Sequence, residues 1–152
     1  MIDRLNLATA DRIADEILAA GRRSDCGPLT VAILDTGAHP IVLKREDGSE
    51  FLRVSVAIGK AYGALGMGLP GRVMAERVPS VPWFFSALSD MSNGRVVPVP
   101  GSVLIRSTDG TLLGAAGVSG DTSDRDEACA IEGIVAVDLL ADYGQVPEWR
   151  RP

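Results

Sequence analysis

The first ordered pattern lies between residues 7 and 23. Leu7, Ala10, Ile13, Ala14, Ile17, Leu18 and Gly21 recur at the three-, four- and seven-residue spacing of one helical face. Asn6 stands where an N-cap belongs, with Leu5 in front of it as a staple. Arg22 and Arg23 fall in the last turn, where cations suit the helix dipole. After Cys26-Gly27-Pro28 the rhythm changes. Residues 29–35, LTVAILD, are short, apolar and β-rich, as a central strand is. Residues 36–39 make a tight connection, and residues 40–45, PIVLKR, form the return strand of a hairpin.

Residues 51–67 turn helical again. Val54, Ile58, Ala61 and Leu65 fall on one side, and Ser55, Gly59, Tyr62, Gly63 and Gly66 on the other. Arg53 and Lys60 are its only charges, seven apart and so on one line. A helix this poor in charge is expected to be buried nearly all round. Its small-residue stripe admits another backbone, from within the fold or from a second subunit. Residues 70–90 read as irregular, apart from a short helix opened by Pro70 and ended by Pro79. Val81 to Phe85 supplies side chains for a pocket wall or an interface. Residues 95–106 predict a broken strand pair, kinked at Pro98, Pro100 and Gly101. Asp109-Gly110 is a hairpin turn, and residues 111–118 form the next strand. The last helix spans 123–143, spaced by Ile131, Ile134, Val135, Asp138 and Leu139 and stopped by Gly144. Ser123 and Asp126 have the spacing of a capping box. The order of elements predicts an α+β fold, an antiparallel sheet flanked by helices, and not a doubly wound nucleotide fold.

Composition narrows the function classes. The 152 residues are 46% apolar and 23% charged, enough for one core, and the whole chain, 1–152, reads as one domain. No apolar run approaches the length of a membrane helix. With 15 basic and 20 acidic residues the net charge is −5, which attracts neither nucleic acid nor an anionic membrane. The first residues look like neither a signal peptide nor a presequence, so the expected setting is cytoplasmic. One histidine, His39, and two cysteines, Cys26 and Cys129, argue against a zinc site. A single disulfide stays open. No serine lies in a GxSxG.

The strings Leu5-Asn6-Leu7, Val31 to His39, Ile58-Gly59-Lys60-Ala61, Pro98 to Ile105, and Gly114 to Gly120 followed by Asp126-Glu127-Ala128-Cys129-Ala130 occur in one order along nearly the whole chain. Together they resemble the GlcG/HbpS-like family of glycolate-utilisation, haem-binding and PduO C-terminal-domain proteins. The resemblance implies a profilin-like layered fold, assembly into dimers or larger rings, and, in several members, binding of haem or a tetrapyrrole. It does not imply one activity. The chain departs from the family pattern at Trp83-Phe84-Phe85 and at Ser102-Val103, where a pocket wall would lie.

Each candidate residue carries two readings. His39 is the only strong axial ligand for haem iron, hence the one metal candidate, or a solvent-exposed turn residue. Lys60 is a carboxylate anchor or base, or an ion-pair partner of Asp35 or Glu127. The amides of Gly117, Ser119 and Gly120 hold an anion, or the glycines serve packing. Cys129 is a thiol activated by a helix dipole, or a small buried residue. The expected site combines Lys60 and Arg72 as anchors, these amides as donors, Glu127 as base, and Trp83 and Phe84 as walls. It suits a planar, partly apolar anion, which makes a haem-binding module the expected function. The alternative is a cofactor-free enzyme on a small unsaturated carboxylate, with Lys60 and Glu127 catalytic. A purely structural oligomer is the third. The stripe on the second helix and the Trp83–Phe85 segment predict a homo-oligomer.

Overall fold

The computed structural model describes residues 3–144; residues 1–2 and 145–152 of the expected domain lie outside the described residues. The elements are α1 (Leu7–Arg23), β1 (Thr30–Asp35), β2 (Pro40–Arg45), α2 (Leu52–Met67), α3 (Gly71–Arg77), α4 (Pro82–Met91), β3 (Ser102–Arg106), β4 (Leu112–Ser119), α5 (Ser123–Val135) and β5 (Leu140–Asp142). The strands form one antiparallel sheet in the order β2-β1-β4-β3-β5. The fold is α+β, an antiparallel sheet flanked by helices. No helix of the described residues is long and apolar enough to cross a membrane.

Alternation along the strands divides the core into two layers. Val31, Ile33, Val103, Ile105, Ala116 and Val118 pack under Ile13 and Ile17 of α1 and Ile134 of α5. Ala32, Leu34, Leu104 and Ala115 face the other way, against Ala57, Ala61 and Ala64 of α2. A register slip between Ile105 and Arg106 returns Leu113 to the first layer although Ala115 faces the second. α1 starts as its sequence dictates: Asn6 Oδ1 accepts the Thr9 amide at 2.8 Å.

α2 lies close on the sheet because its contact positions are small. A Cβ on Gly117 would stand 2.0 Å from the Ala57 carbonyl oxygen. The stripe on its flank is met from within the fold. The Val97 amide donates to the Gly59 carbonyl, and a Cβ on Gly59 would reach Val97 at 2.6 Å. Gly66 has open space in front of it. The helix is not buried all round, for Leu52 and Ser55 are exposed.

Four expectations give way. Residues 82–91 form α4 where an irregular segment was expected; Pro82 starts it, and only Phe85 is buried, so no amphipathic period marks it. Residues 95–101 are not a strand but an irregular stretch lying along α2, and pairing begins at Ser102. α5 ends at Val135, not at 143. The chain reverses through Asp138, at φ 62°, and Leu140–Asp142 pairs with β3. The N-cap of α5 is Thr122, whose side chain accepts from the Arg125 amide; Ser123 is the first helical residue.

Candidate functional site

At one end of the sheet β4 runs into α5 through Gly120. The last strand residues and the first helical turns thereby face the middle of α2. Lys60 Nζ donates to the Val118 carbonyl at 2.8 Å and to Asp126 Oδ2 at 3.1 Å. Asp126 Oδ1 accepts the Asp121 amide at 3.0 Å. Both charged residues are buried, 2% and 1% exposed. Burial pushes the Lys60 ammonium below its ordinary pKa, and Asp126 pulls it back. Burial likewise pushes Asp126 up, opposed by Lys60. The expected internal partners of Lys60 were Asp35 and Glu127; the partner is Asp126. Arg53, on the same line of α2, reaches Ser119 Oγ at 3.3 Å.

Glu127, next to Asp126 on α5, turns toward α3. Its two carboxylate oxygens accept from Arg72 Nε at 2.9 and 3.0 Å, and Arg72 Nη2 also pairs with Asp124. These carboxylates raise the Arg72 pKa above its ordinary value. Arg72, Val73, Glu76, Glu127, Tyr143 and Gly144 line a cleft of about 300 Å³. Lys60 is not among its lining residues. The strand end and turn from Gly117 to Gly120 are packed closely into the fold. The Val118 amide donates to Gly101 O at 2.9 Å, and Gly117 sits under α2. Gly120, at φ 147°, packs on Pro28 and Leu29.

His39 lies at the other end. Asp35 Oδ1 accepts the amides of Gly37 and His39, each at 2.9 Å, and so shapes the β1–β2 turn. These bonds, the His39 amide first, hold its carboxyl below the usual value. The left-handed residue of the turn is Ala38, at φ 64°, and not Gly37. The His39 side chain is 81% exposed, with Nδ1 3.4 Å from Asp35 Oδ1. It borders a cleft of about 480 Å³ whose lining includes Asp3, Arg4, Asp35, Ile41 and Leu113.

The two ends are far apart. Asp35 pairs with Gly114 and Thr30 with Ser119, five residue steps along β1, or about 16 Å. The single site expected from the sequence therefore resolves into two places. Lys60, Arg72, Ser119 and Glu127 gather at one, and His39 stands at the other. Trp83 and Phe84, the expected walls, line neither cleft; on α4 they are 72% and 39% exposed. Sequence reasoning left Asp126, Arg4 and Tyr143 out of the site. The Asp35–His39 spacing was a readable local signal, whereas nothing local marks Tyr143.

A family model described as haem-degrading, HbpS-like proteins matches residues 5–135. The chain belongs to the HbpS-like family. Among solved structures, the haem complex of PduOC is similar over 91% of this chain and 99% of that one, with TM-score 0.81 and 21% identity. A double mutant of HbpS from Streptomyces reticuli is similar over 90% and 88%, with TM-score 0.76 and 23% identity. The ORFY protein of Klebsiella pneumoniae is similar over 91% and 93%, with TM-score 0.79 and 18% identity. At these identities the likeness is one of fold. No curated protein sequence matches the chain.

Proposed function

We propose that this HbpS-like protein is a cytoplasmic ligand-binding protein that takes haem, or a comparable planar anionic tetrapyrrole, at the His39 end of the sheet. The observation that carries the reading is the exposed imidazole of the chain's one histidine, set beside Asp35 at the mouth of the larger cleft. Asp35 facing Nδ1 orients the ring and favours Nε2 as the metal-binding nitrogen. Arg4 offers a cation for a propionate, and the half-buried Ile41 offers apolar surface to the ring, with the buried Leu5 and Leu113 behind it. Bound haem would supply the iron; the chain supplies the imidazole, the cation and the apolar floor. The family description and the haem complex of PduOC support the reading. The two free thiols suit a reducing cytoplasm.

The alternative, cofactor-free chemistry on a small unsaturated carboxylate, rests on Arg72 and Glu127 at the smaller cleft. There the one guanidinium is already paired with Asp124 and Glu127, which leaves it poorly placed to hold an anionic substrate. Self-association into a dimer or larger ring is part of the proposal. Phe51, Leu52, Trp83, Phe84 and Met91 are all exposed, and light scattering at micromolar concentration should give a mass above 16.0 kDa. Titration with haemin tests the main reading. A saturable Soret band at one haem per chain is expected, and a spectrum that stays that of free haemin overturns it.

A further inference from the structure

The two cysteines have no part in either cleft, yet they meet. Cys26, in the loop between α1 and β1, and Cys129, in α5, place their Sγ atoms 3.9 Å apart across 103 residues of sequence. Both are buried, 4% and 3% exposed, in the layer under α1 and α5. We propose that they form a reversible dithiol–disulfide pair that staples this loop to the start of α5.

Four hydrogen bonds fix the loop backbone around Cys26. On one side of Cys26 the Gly27 amide donates to Asp121 Oδ2 at 2.8 Å; on the other, the Arg125 guanidinium donates to the Ser24 carbonyl. The Cys26 amide donates to Gly21 O at 2.9 Å, and its carbonyl accepts from Arg22 at 2.9 Å. A disulfide needs the sulfurs at about 2.05 Å, so they must close by roughly 2 Å. The loop around Cys26 is tied down and Cys129 sits in α5, so the closing movement falls on the two side chains, by rotation about their Cα–Cβ bonds.

The chemistry balances with hydrogen peroxide as oxidant. The Cys26 sulfur, giving up its proton, attacks one peroxide oxygen; the S–O bond forms, the O–O bond breaks, and the other oxygen leaves with that proton as water, which gives a sulfenic acid. The Cys129 sulfur then attacks the sulfenic sulfur; the S–S bond forms, and the hydroxyl leaves with the Cys129 proton as a second water. Burial pushes the Cys129 thiol up to about 12, which makes the reaction slow. A small dithiol reverses the bond by exchange. Cys129 lies three residues beyond Asp126 and two beyond Glu127 on α5. The staple therefore stiffens the part of α5 that holds Lys60 and Arg72.

The test uses the reduced full chain, treated with hydrogen peroxide, quenched, and alkylated after denaturation. The expected result is a mass lower by about 2 Da, protection of both thiols from alkylation, and a linked peptide containing Cys26 and Cys129. Dithiothreitol should reverse all three. The oxidised chain should melt about 10 °C higher, as expected for closing a loop of roughly a hundred residues in a chain of this size. Cys26→Ala should lose the shift. In Cys129→Ala, dimedone should trap a sulfenic acid on Cys26. Full alkylation of both thiols after peroxide overturns the proposal, as does oxidation to sulfinic acid without a crosslink, or crosslinking only between chains. A linked chain with an unchanged melting temperature overturns the staple.

Discussion

Each end of the sheet sets a basic side chain beside an aspartate, to opposite effect. At one, Lys60 and Asp126 are sealed between α2 and α5. At the other, His39 and Asp35 stand at a turn, largely in water. A buried pair has lost its hydration, and each member depends on the other to offset that loss. It cannot release either charge to a ligand cheaply. An exposed pair contributes little to stability and is free to bind. Burial, more than residue type, separates the charge that holds the fold from the charge open to chemistry. Lys60 was the more conspicuous residue in the sequence, a lone lysine on an apolar helix, and the structure gives it an internal partner.

The largest effect should come from breaking the sealed pair. Lys60→Met leaves Asp126 buried without its cation and should cost about 3–5 kcal/mol, read by urea unfolding. Adding Asp126→Leu should recover much of it, because an apolar pair needs no hydration. A cost below about 1 kcal/mol for the single variant would contradict the sealed-pair account. The next effect concerns the close approach that seals it. Gly117→Ala drives a methyl into the Ala57 carbonyl and should destabilise by about 1–3 kcal/mol, as overpacking does. Unchanged stability would mean that α2 does not rest on β4 as described.

The smallest effect is in acid. Asp121 accepts the amides of Gly27 and Thr122, which hold its carboxyl below 3.8, the Gly27 bond first. Its folded pKa lies below the unfolded one. Its contribution is therefore complete above 3.8 and is lost as pH falls through the folded value. Asp121→Asn should lower stability at about pH 7, and its gap from the wild type should narrow as the pH is taken well below 3.8, in urea titrations at neutral and acid pH. A constant gap at the two pH values would remove the linkage.

Local signals carried much of the fold. α1 and the β1–β2 hairpin were legible because caps, helical period and strand alternation are all local there. α4 was not, since Val81 to Phe85 is an unbroken apolar run and Trp83 and Phe84 stay exposed on a helix that buries only Phe85. β5 was hidden because the spacing of Ile131, Ile134, Asp138 and Leu139 continues a helix past the point where the chain leaves it for an edge of the sheet. The site was half legible. The motif around Asp126 and Glu127 stood out, but which carboxylate meets Lys60 depends on how α5 is rotated against α2, and those residues are 66 positions apart. The same limit merged the two ends into one site. Nothing in a sequence says that His39 and Lys60 approach different ends of one strand.

The most direct measurement compares His39→Ala with Arg72→Met, each titrated with haemin and each melted in parallel. The His39 side chain is exposed, so His39→Ala should melt as the wild type does, whereas Arg72→Met leaves the buried Glu127 carboxylate without its cation and should stay folded but melt lower. The account predicts that His39→Ala keeps its melting temperature but shifts the Soret maximum and weakens binding, while Arg72→Met binds haemin as the wild type does. An unchanged Soret band and affinity in His39→Ala, with binding lost in a folded Arg72→Met, would contradict it and move the ligand to the opposite end of the sheet.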